Sequence, residues 1–141
     1  MERSSDRTTV SRHPRVLLDT SVVIDFDAVV VAPHADAVAL SVITMAELAY
    51  GLHTADVMVN ANRQARYRWI ASQFDVIDFD TESAEAYGAL AASVRAMGRN
   101  PRPRRFDLLI AAVAVRHGLP LVTRNADDFE ALDSLVTVVA I

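Results

Sequence analysis

Apolar positions along the chain alternate between two patterns. Short continuous runs suit buried strands, and longer stretches with helical spacing suit amphipathic helices. The run RVLL at residues 15–18 reads as a buried strand closed by Asp19. Thr20 and Ser21 then offer caps for a helix carrying Val22, Val23 and Ile24. Residues 37–42 form a second strand, and Thr44 opens a helix bearing Ala46, Leu48, Ala49 and Leu52. A further helix spans 57–73, and FDVIDF at 74–79 alternates as a half-exposed strand does. An alanine-rich helix runs from Thr81 to about Met97 and stops near Gly98. The segment NPRPRR at 100–105 is a loop punctuated by two prolines. Residues 106–117 make a strongly apolar helix with Gly118 as its stop, and LPLVT at 119–123 is the next strand. A short helix at 129–132 and a strand at 136–141 close the chain. Strands alternating with helices predict a single α/β domain with a central, mostly parallel sheet flanked by helices.

Composition agrees with one packed domain. The chain has 141 residues, 52% of them hydrophobic, and a net charge of −4. That balance argues against coating nucleic acid through bulk positive charge, and leaves room for a local basic patch. All 14 basic residues are arginine, which excludes chemistry that needs a lysine. The absence of cysteine removes disulfides, thiolate metal sites and thiol nucleophiles. No apolar run reaches the roughly 18–20 residues of a membrane span, so no membrane partner is expected. Residues 1–14 are polar, lack the apolar stretch of a secretory signal, and read as a flexible tail before a domain at 15–141. The cytoplasm is the expected location.

The candidate chemistry lies in carboxylates placed next to strand ends, the edge where open α/β sheets gather ligands. Asp19 follows the first strand, and Glu47 lies in the first turn after the second. Asp107 opens the apolar helix, while Asn125, Asp127 and Asp128 follow the strand ending at Thr123. Each also has a local explanation. Asp19 and Asp128 can cap helices. Thr44-x-x-Glu47 matches a capping box. Asp107 can complement a helix dipole. Taken together, acids gathered at one sheet edge would repel one another, and a divalent cation preferring oxygen ligands offsets that repulsion.

Three ordered motifs carry a resemblance. LLDTSVVID at 17–25, SVITMAELAYG at 41–51 and FDLLIAAVAVRHGLPLVTRNADDF at 106–129 resemble the PIN-domain ribonucleases of the VapC toxin type, from about Arg15 to the end. The resemblance implies a PIN-like fold and an endoribonuclease that hydrolyses RNA phosphodiester bonds with Mg²⁺, or Mn²⁺ as a substitute. It implies that Asp19 and Asp107 are the main metal ligands, and that Glu47 and Asp128 hold a second ion or orient water. Asn125 and Asp128 match best in the last segment, with Asp127 an extra acid beside them. Thr20 or Ser21 would orient Asp19 or touch a water on the metal, and Thr123 would bond within the cluster. The resemblance also implies a homodimer, neutralised by a cognate VapB-type antitoxin in a heterotetramer or larger assembly. A catalytically silent protein- or RNA-binding module is the alternative.

Metal-assisted hydrolysis needs no histidine, lysine or cysteine. His13, His34, His53 and His117 are scattered and read as surface or structural residues. Substrate or partner contact falls to arginines, which grip phosphate bidentately. Arg102, Arg104 and Arg105, together with Arg95 and Arg99, run into Asp107 without an intervening acid, and Arg124 adjoins Asn125. Arg63, Arg66 and Arg68 with Tyr67 and Trp69 fit either RNA stacking or an amphipathic helix with a buried aromatic face. Setting aside Asp19, Glu47, Asp107 and Asp128 leaves 14 acids against 14 arginines, so the proposed site accounts for the whole negative excess.

Overall fold

The computed structural model describes residues 11–141. Most of the expected tail therefore lies outside the described residues. The first strand, β1, runs His13–Leu18 and takes in two residues assigned above to the tail. A one-turn helix α1 (Thr20–Ile24) follows Asp19 directly. The short helix α2 (Ala28–Val31) and a 3-10 turn (Ala32–His34) lead to β2 (Ala35–Ser41). The chain continues through α3 (Val42–Tyr50), α4 (Val57–Gln73), β3 (Asp75–Ile77) and α5 (Thr81–Ala96). A 3-10 turn (Arg102–Arg104) within the arginine-rich loop leads into α6 (Arg105–His117). Then come β4 (Leu121–Thr123), a 3-10 segment (Ala126–Leu132) and β5 (Val138–Ala140).

All five strands are parallel, in the order β3-β2-β1-β4-β5. The chain winds outward from β1 to β2 and β3, then returns across β1 to β4 and β5. The order therefore reverses between β1 and β4, and a crevice opens beyond the carboxyl ends of strands at such a point. Asp19 and Thr123 stand at those two ends. The register is fixed by Leu17 opposite Leu121 and Leu18 opposite Val122, and the Asp19 amide donates to the Val122 carbonyl at 2.9 Å.

Both faces of the sheet are covered, which is why β1 reads as an uninterrupted apolar run rather than an alternating one. Leu17 points into a core shared with Leu90 and Ala91 of α5 and with Leu108, Ile110 and Ala111 of α6. Val16 and Leu18 point the other way, towards Val22, Val23, Met45 and Ile70. Helix α6 ends at Gly118, whose φ of 63° is the left-handed geometry glycine tolerates best.

Several boundaries differ from the sequence expectation for local reasons. The sequence pattern gave nothing for α2, a short valine-rich turn capped by Asp27. Strand β2 ends at Ser41, whose hydroxyl accepts from the Ile43 amide, so the helix starts at Val42 and not at Thr44. The expected helix at 129–132 is instead a longer 3-10 segment beginning at Ala126. Because Leu17 is fully buried at the centre of the sheet, Leu17→Ala is expected to cost about 2–5 kcal/mol. Chemical denaturation, read as a fall in midpoint at constant slope, checks that value.

Candidate active site

Asp19 is the anchor of the site. It is the residue before α1, yet its side chain makes no capping bond. The carboxylate is only 4% exposed, and its Oδ2 accepts from Ser21 Oγ and Thr123 Oγ1, each at 2.8 Å. Among the described residues nothing donates to Oδ1. A buried carboxylate oxygen without a donor is costly in a protein interior, and a cation would satisfy it. The capping explanation of Asp19 therefore fails, while the expected roles of Ser21 and Thr123 in orienting it are visible as hydrogen bonds.

Glu47 arrives differently from the sequence expectation. Since α3 starts at Val42, Glu47 belongs to its second turn, and Thr44 lies inside the helix. The capping box is therefore absent. Thr20 Oγ1 instead donates to Glu47 Oε1 at 2.7 Å, and it stands 2.9 Å from Thr44 Oγ1, which is fully buried. Two threonines on two helices thus hold one glutamate against the end of β1. Thr44 is the positioning residue that pattern reading missed, because its resemblance to a cap masked an inward-facing hydroxyl.

Asp107 sits in the first turn of α6. Burial first, then the charges of Asp19, Asp128 and Glu47, push its carboxyl up to about 6, partly offset by Arg104. Asp19, Asp128 and Glu47 therefore all act on Asp107 across the sheet edge. Asp128 lies inside the 3-10 segment rather than before a helix, which removes its capping explanation. Its Oδ1 is 2.5 Å from Arg104 Nη1, and the same nitrogen is 3.8 Å from Asp107 Oδ2.

The other predicted residues are distributed unevenly. Asn125 donates its backbone amide to Thr123 Oγ1, and its side chain makes no capping bond. Asp127 lines a cleft of about 90 Å³ together with Asp107, Asp128, Arg99 and Arg104. Arg104 is the arginine of its loop that reaches the acids. Arg102 lies in the same 3-10 turn, and Arg105 lies over the Phe106 ring at 5.9 Å. Arg124 donates to the Asp25 carbonyl at 3.0 Å, and its amide donates to Ser21 Oγ. On the Glu47 side, a cleft of about 300 Å³ is lined by Ile24, Leu48, Arg63, Arg66 and Tyr67. Arg63 and Arg66 donate to the carbonyls of Gly51 and Val23. Trp69 is 51% exposed and meets Phe74 edge-on, so the aromatic face of α4 is only partly buried.

The donor set is all oxygen and anionic, which suits a hard divalent cation. Among the described residues no three acidic or histidine side chains already stand as a closed metal cage. A small divalent ion that keeps several waters needs only one or two carboxylates, so the open arrangement and the free Asp19 oxygen fit it.

The PIN domain family model matches residues 16–135. The chain belongs to the PIN-domain family, in its VapC branch. Ribonuclease VapC5 of Mycobacterium tuberculosis is 36% identical over 126 residues, covering 86% of this chain and 90% of that protein. The tRNA(fMet)-specific endonuclease VapC of Shigella flexneri is 33% identical, covering 70% of this chain and 71% of its own length. The crystal structure of the M. tuberculosis VapBC-5 toxin–antitoxin system contains a chain with a TM-score of 0.76 and 34% identity. That match covers 92% of this PIN domain protein and 98% of the chain in the crystal. The five-strand parallel sheet is thus the PIN-like fold the motifs implied.

The direction of the Asp107 shift sets a pH dependence. Between its ordinary value of 3.8 and about 6, the folded protein binds more protons here than the unfolded chain. Stability therefore falls as pH rises through that window, and ionised Asp107 opposes folding at neutral pH. In chelator at pH 7, Asp107→Asn is expected to gain about 1–2 kcal/mol, discounted for the side chain's partial exposure. The gain should vanish below about pH 4, as followed by denaturation across pH.

Proposed function

We propose that this chain is a divalent-metal-dependent endoribonuclease, the toxin of a toxin–antitoxin pair, with residues 15–141 forming the catalytic domain. The observation that carries the reading is a buried Asp19 with one oxygen lacking a donor, near enough to Asp107 that its charge, after burial, helps push the Asp107 carboxyl up to about 6. Asp19 and Asp107 would hold Mg²⁺, with Mn²⁺ as a substitute, and Glu47 and Asp128 complete the acidic set. Asn125 is an additional oxygen donor beside them. When bound, the ion supplies an activated water and neutralises charge on the phosphate.

The chain's own residues do the remaining work. Ser21 and Thr123 fix the Asp19 carboxylate, and Thr20 fixes Glu47. These bonds hold the acids in place, so the charges need not reorganise during reaction. Arg102 and Arg104 in the turn before α6, Arg105 at the start of α6 and Arg124 after β4 offer guanidinium forks to RNA phosphates. One cleft lined in part by Glu47 and another lined in part by Asp107 and Asp128 supply room for the RNA strand.

A VapB-type antitoxin is the proposed partner, with a homodimer of this chain as the toxin unit. The similar M. tuberculosis protein was crystallised in such a system. An RNA substrate puts the site of action in the cytoplasm, and none of the described helices is long and apolar enough to cross a membrane.

Purified protein is expected to cleave structured RNA with Mg²⁺ or Mn²⁺ and to stop in chelator. Asp107→Asn should reduce cleavage at least about 100-fold while remaining folded. Mapping RNA 5′ ends in cells expressing each form identifies the target as a cut made only by the unsubstituted protein. Undiminished cleavage by a verified metal-free preparation would falsify the mechanism.

A further inference from the structure

The arginine-rich loop delivers one guanidinium into the acidic site. Arg104 Nη1 is 2.5 Å from Asp128 Oδ1 and 3.8 Å from Asp107 Oδ2. No other basic side chain among the described residues pairs with a member of the cluster. Its position is unfavourable on local grounds alone. Arg104 is the residue immediately before α6, and a cation there opposes the positive end of the helix dipole. It makes no capping bond. The attraction that holds it inward is therefore that of the acids.

We propose that Arg104 is a built-in counter-cation, which occupies the acidic site when no metal is bound and is displaced when a divalent ion enters. This rests on the metal-dependent reading above. The two cations compete for the carboxylates of Asp107 and Asp128, which Arg104 contacts, and their like charges exclude each other. A guanidinium has donors only and stays charged, so it cannot ligate the ion or lose its proton to make way. An ion held at about 2.0–2.1 Å from the carboxylates would face an adjacent positive charge unless the side chain swings out. The exit is open, because the Arg104 side chain is half-exposed on a one-turn 3-10 segment whose only neighbours in the loop are polar or proline. With Arg104 inside, part of the repulsion among Asp107, Asp19, Asp128 and Glu47 is offset, and the metal-free fold keeps its acids together. The device makes metal loading an exchange of cations rather than a simple addition.

Calorimetric titration of Mn²⁺ into the chelator-stripped full chain tests this, using the unsubstituted protein, Arg104→Gln and Arg104→Lys. Removing the competing charge should tighten Mn²⁺ binding by about fivefold in Arg104→Gln, while Arg104→Lys stays near the unsubstituted affinity. Thermal melting gives a second readout that involves no catalysis. In chelator Arg104→Gln should melt below the unsubstituted protein, and saturating Mn²⁺ should close that gap. A merely structural role in the loop would lower both melting points equally. Equal or weaker Mn²⁺ binding by Arg104→Gln overturns the exchange and leaves the metal site standing. Failure of every form to bind Mn²⁺ overturns the metal-dependent reading, and the exchange with it.

Discussion

A part-buried carboxylate, Asp107, set near three other acids at one edge of a parallel sheet is the constraint on which the rest of this structure depends. Burial and three neighbouring carboxylates raise Asp107 to about 6, so the folded chain carries an electrostatic opposition to its own packing. That opposition is tolerated because the acids sit on elements fixed by large apolar surfaces. β1 is buried on both faces between two cores, and α6 presents a nearly continuous apolar face to one of them. Packing on both sides of the sheet thus places the charges, and hydroxyls then aim them. Ser21, Thr123 and Thr20 are short, half-buried or buried side chains that fix carboxylates without adding charge, and Thr44 pairs with the Thr20 hydroxyl. The same arrangement that disfavours the empty fold is what makes a divalent cation welcome.

The chain order explains why these residues can be so far apart in sequence. Parallel connections return every strand in the same direction, so each carboxyl end reaches the same edge. The reversal between β1 and β4 brings Asp19 beside Thr123, more than a hundred residues later, through a 2.8 Å hydrogen bond. Asp107 enters from the helix that precedes β4, and Asp128 from the segment that follows it. One topological feature therefore assembles residues from every part of the domain. VapC-branch relatives share this plan over most of their length.

Much of this was legible in the chain itself, and the failures have physical causes. The α/β class, the parallel sheet and the helices at 57–73 and 81–96 follow from periodicity, because long helices and buried strands leave strong patterns. The four acids were legible because the pattern places them after strand ends or in the first turns of helices, within three ordered motifs. Local motifs misled where a hydroxyl had two possible tasks. Thr44 resembled a cap, but Ser41 three residues earlier does the capping, which frees Thr44 to face Thr20. The destination of the arginines was not legible at all. Arg102, Arg104 and Arg105 are alike in sequence, and it is the folded 3-10 turn leading into α6 that shows Arg104 reaching the acids.

Burial and the charges of three neighbouring acids disfavour ionised Asp107 in the empty fold, and a divalent ion relieves that cost. The most direct test is the titration of the Asp107 side-chain carboxyl by carbon-detected NMR, with and without saturating Mg²⁺. In chelator the carboxyl should titrate at about 6, and with Mg²⁺ it should move down past its ordinary value of 3.8. A carboxyl that titrates near 3.8 in chelator and does not respond to Mg²⁺ would contradict the account.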